Sequence, residues 1–259
     1  MPFATTSDGL AVHYEVHGRG RPLVLISGQS NTLHWWDRVR GDFEPRFSTI
    51  VLDHRGTGES DKPDADVYST PRFAADVVSV LDDLGIGRAH VYGTSMGGRI
   101  AQWIAAGHPE RVDRLVLGCT SPGGRHGVER GADVRKALAD PDPAAVRRAL
   151  LDLMYTPDWR ARVPGPYYTL GDRHMPAYAR RRHLRASARH DSWDVLPSIT
   201  APTLVLHGTD DLFNPAANAP LLAGRIPDAR LHLIPGARHG YFEEFQDVAS
   251  PLVADFLDG

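Results

Sequence analysis

The chain has 259 residues, 42% of them hydrophobic, which suits one large α/β domain or such a domain with a small insert. A net charge of −3 excludes a general polyanion binder, and no apolar run approaches the roughly 20 residues of a membrane span. Cys119 is the only cysteine, which excludes an intrachain disulfide; with no basic and apolar leader at the N-terminus, it points to the cytoplasm.

In chain order, "AVHYEVH" (11–17) alternates, with Val12, Tyr14 and Val16 on one face and His13, Glu15 and His17 on the other, as in a half-buried strand. "PLVLIS" (22–27) is a continuous apolar run, the pattern of a strand covered on both faces. Similar runs follow at 48–53, 89–93, 114–119, 202–208 and 230–236. Between them, "TPRFAADVVSVLDDLG" predicts a helix with Thr70 as its cap, Pro71 in its first turn and Gly85 at its stop. Strands alternating with helices predict a mostly parallel sheet of about eight strands with helices on both faces.

The alternation breaks between 121 and 197, where prolines and glycines cluster and no β run occurs. "DPAAVRRALLDLMY" places Val146, Leu150, Leu153 and Met154 on one helical face, with Asp142 as cap. Residues 121–197 are therefore expected to form a helical lid insert, and residues 1–120 and 198–259 the core domain.

"VYGTSMGGRIAQWIAA" (91–106) runs from strand to helix with a serine and three glycines at the junction. Gly93-Thr94-Ser95-Met96-Gly97 fits G-x-S-x-G, in which a sharp turn lifts the serine hydroxyl above the sheet and its neighbours must be small. The simpler alternative is Ser95 as an ordinary helix cap. A nucleophilic serine needs a base, and the base an orienting acid. "LVLHGTDDLFNP" offers Asp210 and Asp211 just after a strand, and "LIPGARHGYFEE" offers His239 after the last strand.

The order serine, aspartate, histidine, together with "LDHRGTGESDKP" (52–63) and the elbow, resembles the α/β-hydrolase fold family over essentially the whole chain. The stretches "LISGQSNTLHWWD", "DHRGTGESDKP" and "GTSMGGRIAQWIAAGHPERV" are most similar to its 3-oxoadipate enol-lactonase-like group of small esterases and lactonases. The resemblance implies Ser95 as nucleophile, His239 as base and Asp211, three residues after Gly208, as the acid in preference to Asp210. It implies an oxyanion hole made by the backbone N–H groups of Met96 and Gln29, with Ser30 in reserve; Ser30 and Trp35, in the same loop, are candidates to touch substrate. His207 and His232 lie in strands and read as structural.

No cofactor is expected: no G-x-G-x-x-G follows a strand, and Asp61 and Arg135 precede the only two lysines where a P-loop needs glycine. No metal spacing is present either. "RHMPAYARRRHLRASARH" (173–190) is basic but lacks the interleaved aromatics of a nucleic-acid surface. A solvated helix face is its expected reading; the alternative has Arg181, Arg182 or Arg185 facing the cleft to bind a substrate carboxylate. The expected partner is thus a small ester or lactone, with neither nucleic acid nor membrane. A thioesterase or acyltransferase on the same triad, or a ligand receptor with little turnover, remain the alternatives.

Overall fold

The structure is a computed structural model and describes residues 2–259. Eight strands form one sheet: β1 (Phe3–Thr5), β2 (Ala11–Gly18), β3 (Arg21–Ile26), β4 (Phe47–Leu52), β5 (Ala89–Thr94), β6 (Val112–Gly118), β7 (Thr203–Gly208) and β8 (Ala229–Ile234). Their spatial order is β1-β2-β4-β3-β5-β6-β7-β8. β2 pairs antiparallel with β1 and β4, and every other neighbouring pair is parallel. The helices are α1 (Arg40–Phe43), α2 (Thr70–Asp83), α3 (Met96–Gly107), α4 (Ala132–Leu138), α5 (Pro143–Met154), α6 (Pro157–Arg162), α7 (Ala177–Ala188), α8 (Asn218–Arg225), α9 (Tyr241–Glu244) and α10 (Gln246–Asp258).

The apolar runs became strands because both of their faces are covered. In β3, Val24 and Ile26 join the core under α2, α3 and α8, while Leu23 and Leu25 join the opposite core under α1 and α10. β7 divides in the same way, with Val205 on the first face and Leu204 and Leu206 on the second. This period-2 division sets the register of each central strand, since a one-residue slip would exchange the two cores.

Two local expectations are corrected, and one strand goes unannounced. The short strand β1 has only Ala4 buried, so it carries no apolar run to mark it. In β2, Val16 is exposed, while His13 is buried and donates from Nδ1 to the Asp53 carboxylate at 2.9 Å. The cap of α2 is Ser69, whose hydroxyl accepts the Arg72 N–H at 3.2 Å; Thr70 instead bonds His190 Nδ1 at 3.0 Å. Asp142 caps α5 as expected, accepting from the N–H groups of Ala144 and Ala145.

Residues 121–197 run from the end of β6 to the approach to β7 and contribute no strand to the sheet. The two ends of this segment meet. A β-bridge joins Gly123 to Asp191, the Gly124 N–H donates to the His190 carbonyl, and the Ser192 N–H donates to the Pro122 carbonyl. Gly123 has φ +67, and a Cβ there would lie 2.0 Å from the His190 carbonyl oxygen. Gly123→Ala is therefore expected to cost about 1–3 kcal/mol, read as a lower midpoint of urea unfolding. Gly41→Ala, with open space around its Cβ, should leave the midpoint unchanged within about 0.5 kcal/mol.

Candidate active site

Four chain turns converge at the C-terminal ends of parallel strands, where ligands bind in open α/β sheets. Ser95 follows β5, Asp211 follows β7, His239 follows β8 and Gln29 follows β3. Ser95 has φ 57 and ψ −122, outside the regions ordinary residues occupy, and its side chain caps nothing. That removes the simple-cap reading. The turn closes only because its neighbours lack side chains: a Cβ on Gly93 would lie 2.2 Å from the Gly97 carbonyl oxygen, and one on Gly97 2.1 Å from that of Ile26. The Ser95 N–H donates to the Gly118 carbonyl, and the Thr120 hydroxyl donates to the Ser95 carbonyl, so both sides of the turn are held.

Asp211 and His239 are both buried and joined at 2.7 Å between Oδ2 and Nδ1. Burial pushes the Asp211 carboxyl up, but the charge of His239 and the hydrogen bonds from His207 and His239 outweigh it, so the carboxyl lies well below the usual range. Its Oδ1 also accepts the N–H groups of Phe213 and Asn214, each at 2.9 Å. An ionised carboxylate only accepts, so His239 Nδ1 must carry the hydrogen. In the neutral ring the lone pair then sits on Nε2, which is buried and has no partner in the protein. No hydrogen bond yet joins it to the Ser95 hydroxyl, in line with the loose geometry common in ligand-free sites. Asp210 is exposed and accepts from the Thr209 hydroxyl, so it takes no part in this pair.

The backbone N–H groups of Gln29 and Met96 make none of the turn or loop hydrogen bonds that tie down their neighbours, which leaves them available to an acceptor. Ser30 is corrected as a reserve donor, because its N–H donates to His183 Nδ1 at 3.3 Å. Burial holds the His183 pKa down at about 3, so this ring is neutral and can accept. Trp35 is corrected as a substrate contact: it is 2% exposed, its Nε1 donates to the Thr94 hydroxyl, and its ring stacks on Phe242 beneath Gly28. The arginine run takes the solvated face expected of it, and the alternative, in which Arg181, Arg182 or Arg185 faces the cleft, is corrected. The inward residues of α7 are Ala179, His183 and Ala186, which turns the arginines outward. Arg181 is exposed, Arg182 pairs with Asp64 at 2.7 Å, and Arg185 lies 3.9 Å from Asp66.

Several supporting residues carried no signal in the sequence beyond lying near a motif. Asp53 accepts from His13 Nδ1 and from the N–H groups of Leu33 and Glu59, and His54 Nε2 donates to the Ser27 carbonyl. Together they fix both ends of the Gln29 loop. The Asp172 N–H donates to the Ser30 carbonyl, and the Gly171 N–H to the Asn31 side chain, so the 121–197 segment holds the same loop from above. His207, expected to be structural, is a second histidine on the acid: its Nε2 lies 3.2 Å from Asp211 Oδ2 and 2.8 Å from the Asn214 carbonyl. Beside these turns is a cavity of about 510 Å3 whose wall includes Gln29, Arg99, Arg130, Phe213 and Asn214; Ser95 and His239 are not on that wall.

The sequence profile of the alpha/beta hydrolase fold matches residues 21–246. The chain therefore belongs to the α/β hydrolase family, within its group of small esterases and lactonases, and is a hydrolase. It is 31% identical over 265 residues to a putative carbamate hydrolase, RutD, of Caulobacter vibrioides, covering 98% of this chain and 97% of that protein. Among solved structures it resembles a hydrolase from Pseudomonas aeruginosa (TM-score 0.85, 29% identity, covering 100% of this chain and 98% of that one). It also resembles the enol-lactonase from Burkholderia xenovorans (TM-score 0.83, 27% identity, full coverage of both chains). Among the described residues no helix is long and apolar enough to cross a membrane.

Behind the histidine turn, the His239 and Gly240 N–H groups donate to the carbonyls of Leu153 and Met154, and the Tyr155 hydroxyl donates to Glu243 Oε2 at 2.5 Å. Burial raises the Glu243 pKa to about 7, only partly offset by Tyr155 and by Arg38 at 3.9 Å. A carboxyl that binds its proton more tightly folded than unfolded stabilises below the unfolded value and loses that contribution as pH rises through about 7. Glu243→Gln should remove this slope, and at pH 8 should be more stable than the parent by about 1–3 kcal/mol. Urea unfolding at pH 5 and pH 8 measures both arms; a variant less stable than the parent at pH 8 contradicts the assignment.

Proposed function

We propose that this protein hydrolyses a carboxylic ester or lactone through an acyl-enzyme on Ser95. The observation that carries the reading is the 2.7 Å Asp211–His239 bond, which leaves a buried, unpartnered Nε2 as the base. Ser95 Oγ attacks the carbonyl carbon while His239 Nε2 takes its proton. The negative oxygen of the tetrahedral intermediate is held by the N–H groups of Gln29 and Met96, the second at the start of α3, where the helix dipole favours negative charge. His239 returns the proton to the departing alkoxide; in a lactone this alcohol stays attached to the acyl group. Water, deprotonated by the same nitrogen, then attacks the acyl-enzyme and releases the acid and the serine. Asp211 keeps the ring in the required tautomer and stabilises its cation.

In this reading residues 121–197 form the lid that shapes the acyl pocket, and the enzyme works in the cytoplasm. The cavity of about 510 Å3 beside the Gln29 loop, within the ~300–1,000 Å3 of sites for organic ligands, offers room for the acyl group of such a substrate.

With an activated 4-nitrophenyl ester, Ser95→Ala should abolish the pre-steady-state burst and labelling by a serine-directed phosphonate, and lower kcat on the order of 10⁴-fold. An unchanged rate in the folded variant removes the proposal. Asp211→Asn should also cost on the order of 10⁴-fold, because the amide selects the wrong ring tautomer. Asp210→Asn, on an exposed side chain, should change kcat by less than about threefold.

A further inference from the structure

Residues 28–31 make a tight turn, closed by the Asn31 N–H on the Gly28 carbonyl at 3.4 Å. Its third residue, Ser30, has φ 59, while the φ of Gln29 is not positive. That combination marks a type II turn, whose third position is normally filled by glycine or asparagine. A serine there is strained. In the alternative type I turn its φ would relax to about −90°. The two turns differ by turning over the central peptide, here the one between Gln29 and Ser30. The strained form persists only where the surroundings hold that peptide.

Both ends of the peptide are held. The Gln29 carbonyl accepts from the Asn31 side-chain amide at 2.8 Å, and the Ser30 N–H donates to His183 Nδ1 at 3.3 Å. The first bond is local to the turn, whereas the second comes from α7. Ser30 Oγ is buried and bonds nothing in the protein, so the serine side chain does not fix the turn. His183 suits this task. Its ring is fully buried and packs edge-on against Phe73 at 4.9 Å. Its Nε2 lies 2.8 Å from the Arg55 carbonyl, which only accepts, so the hydrogen sits on Nε2 and the lone pair on Nδ1. The neutral ring keeps that lone pair at working pH, because burial holds a second proton off. Packing of α7 does not by itself call for a histidine. The other inward residues of the helix are Ala179 and Ala186, and an apolar side chain would fill the place. Such a side chain would leave the Ser30 N–H and the Arg55 carbonyl without the partners the two ring nitrogens give them.

We infer that His183 is a positioning residue for the oxyanion hole: from α7 it holds the Gln29–Ser30 peptide in the strained turn that aims the Gln29 N–H at the developing charge. The inference rests on the ester or lactone hydrolase reading, in which that N–H is one of the two donors. Without the Nδ1 acceptor the turn relaxes, the peptide turns over, the Gln29 carbonyl leaves the Asn31 amide and Gln29 shifts. A donor to the oxyanion acts in the transition state and only at the right distance, so the loss falls on kcat rather than on KM.

Two variants of the intact protein divide the two bonds of the ring. His183→Gln keeps a donor for the Arg55 carbonyl and puts no acceptor where Nδ1 stands. His183→Asn places its side-chain oxygen at the Nδ1 position and gives up the Arg55 bond. Each loses one buried hydrogen bond, so a stability effect alone does not separate them. With a 4-nitrophenyl ester, His183→Gln should lower kcat on the order of 30-fold or more, with KM within about threefold of the parent. A trifluoromethyl ketone, whose adduct with Ser95 carries an oxyanion, should bind more weakly by the same factor as kcat/KM falls. His183→Asn should keep kcat within about fivefold of the parent. Ser30→Gly added to His183→Gln should recover much of the lost kcat, because glycine holds a positive φ without strain. Exchange of the Ser30 amide hydrogen, followed by NMR, should be about tenfold faster in His183→Gln than in His183→Asn. A His183→Gln variant with parental kcat, a His183→Asn variant impaired as far as His183→Gln, or a loss confined to KM overturns the inference. If the parent does not turn over the ester, the hydrolase reading fails; the amide exchange then decides whether His183 holds the turn, and equal exchange in the two variants overturns that as well.

Discussion

The turn at Ser95 is the constraint on which the rest of the structure depends. Its φ of 57 and ψ of −122 are tolerated because the start of α3 is pressed against the ends of β3 and β5, closely enough that Gly93 and Gly97 admit no Cβ. That closeness requires β5 to sit between β3 and β6 in a parallel sheet, so that the hydroxyl emerges at the strand ends where the Gln29 loop also emerges. A different strand order would separate the serine from the Gln29 loop. Strain of order 1–3 kcal/mol at one residue persists only when the surroundings over-determine it. Here the Gly118 and Thr120 contacts to the serine backbone do so.

Around that turn, buried charge is organised into satisfied groups rather than isolated ones. Arg55 is fully buried and binds Asp76 through both Nε and Nη2, with Asp8 completing the cluster. Asp53 gathers three donors, one each from β2, the Gln29 loop and the turn after β4. A buried ion of this kind adds little net stability, but removing one partner leaves an uncompensated charge. The "DHRG" stretch is thus a brace that aims the Gln29 loop, which explains why it matters to a site it does not touch.

Much of this was legible in the sequence, for physical reasons that differ by element. β3, β5 and β7 are covered on both faces, so composition alone marks them; β1 buries one residue and left no trace. Ser95, Asp211 and His239 stood out through spacing and chain order, because a turn that must be small and a family order of residues leave a local signature. The cavity arginines did not. The chain has 29 basic residues, nearly all arginine, so type conveys nothing, and only the fold brings Arg99 and Arg130 to one cavity wall. The run at 181–185 drew attention by density, yet the helix is phased by Ala179, His183 and Ala186, small or neutral residues whose inward face no hydrophobic stripe announces. His207 shows the same limit: its place in a strand was plain, but its contact with Asp211 depends on the turn that brings Asn214 back over it.

The 121–197 segment is tied down at three separated places: at its own ends through Gly123 and Asp191, on the Gln29 loop through Gly171 and Asp172, and on the histidine turn through Leu153 and Met154. A segment fastened in this way cannot swing aside as one body without releasing the histidine and the Gln29 loop together. Under the proposed function, entry past residues 121–197 then falls to side chains at the rim, where Leu184 and Val128 are exposed, rather than to a swing of the whole segment. The molecule in this respect behaves less like a box with a hinged cover than like a sieve of fixed mesh, and its selectivity is a property of the resting shape.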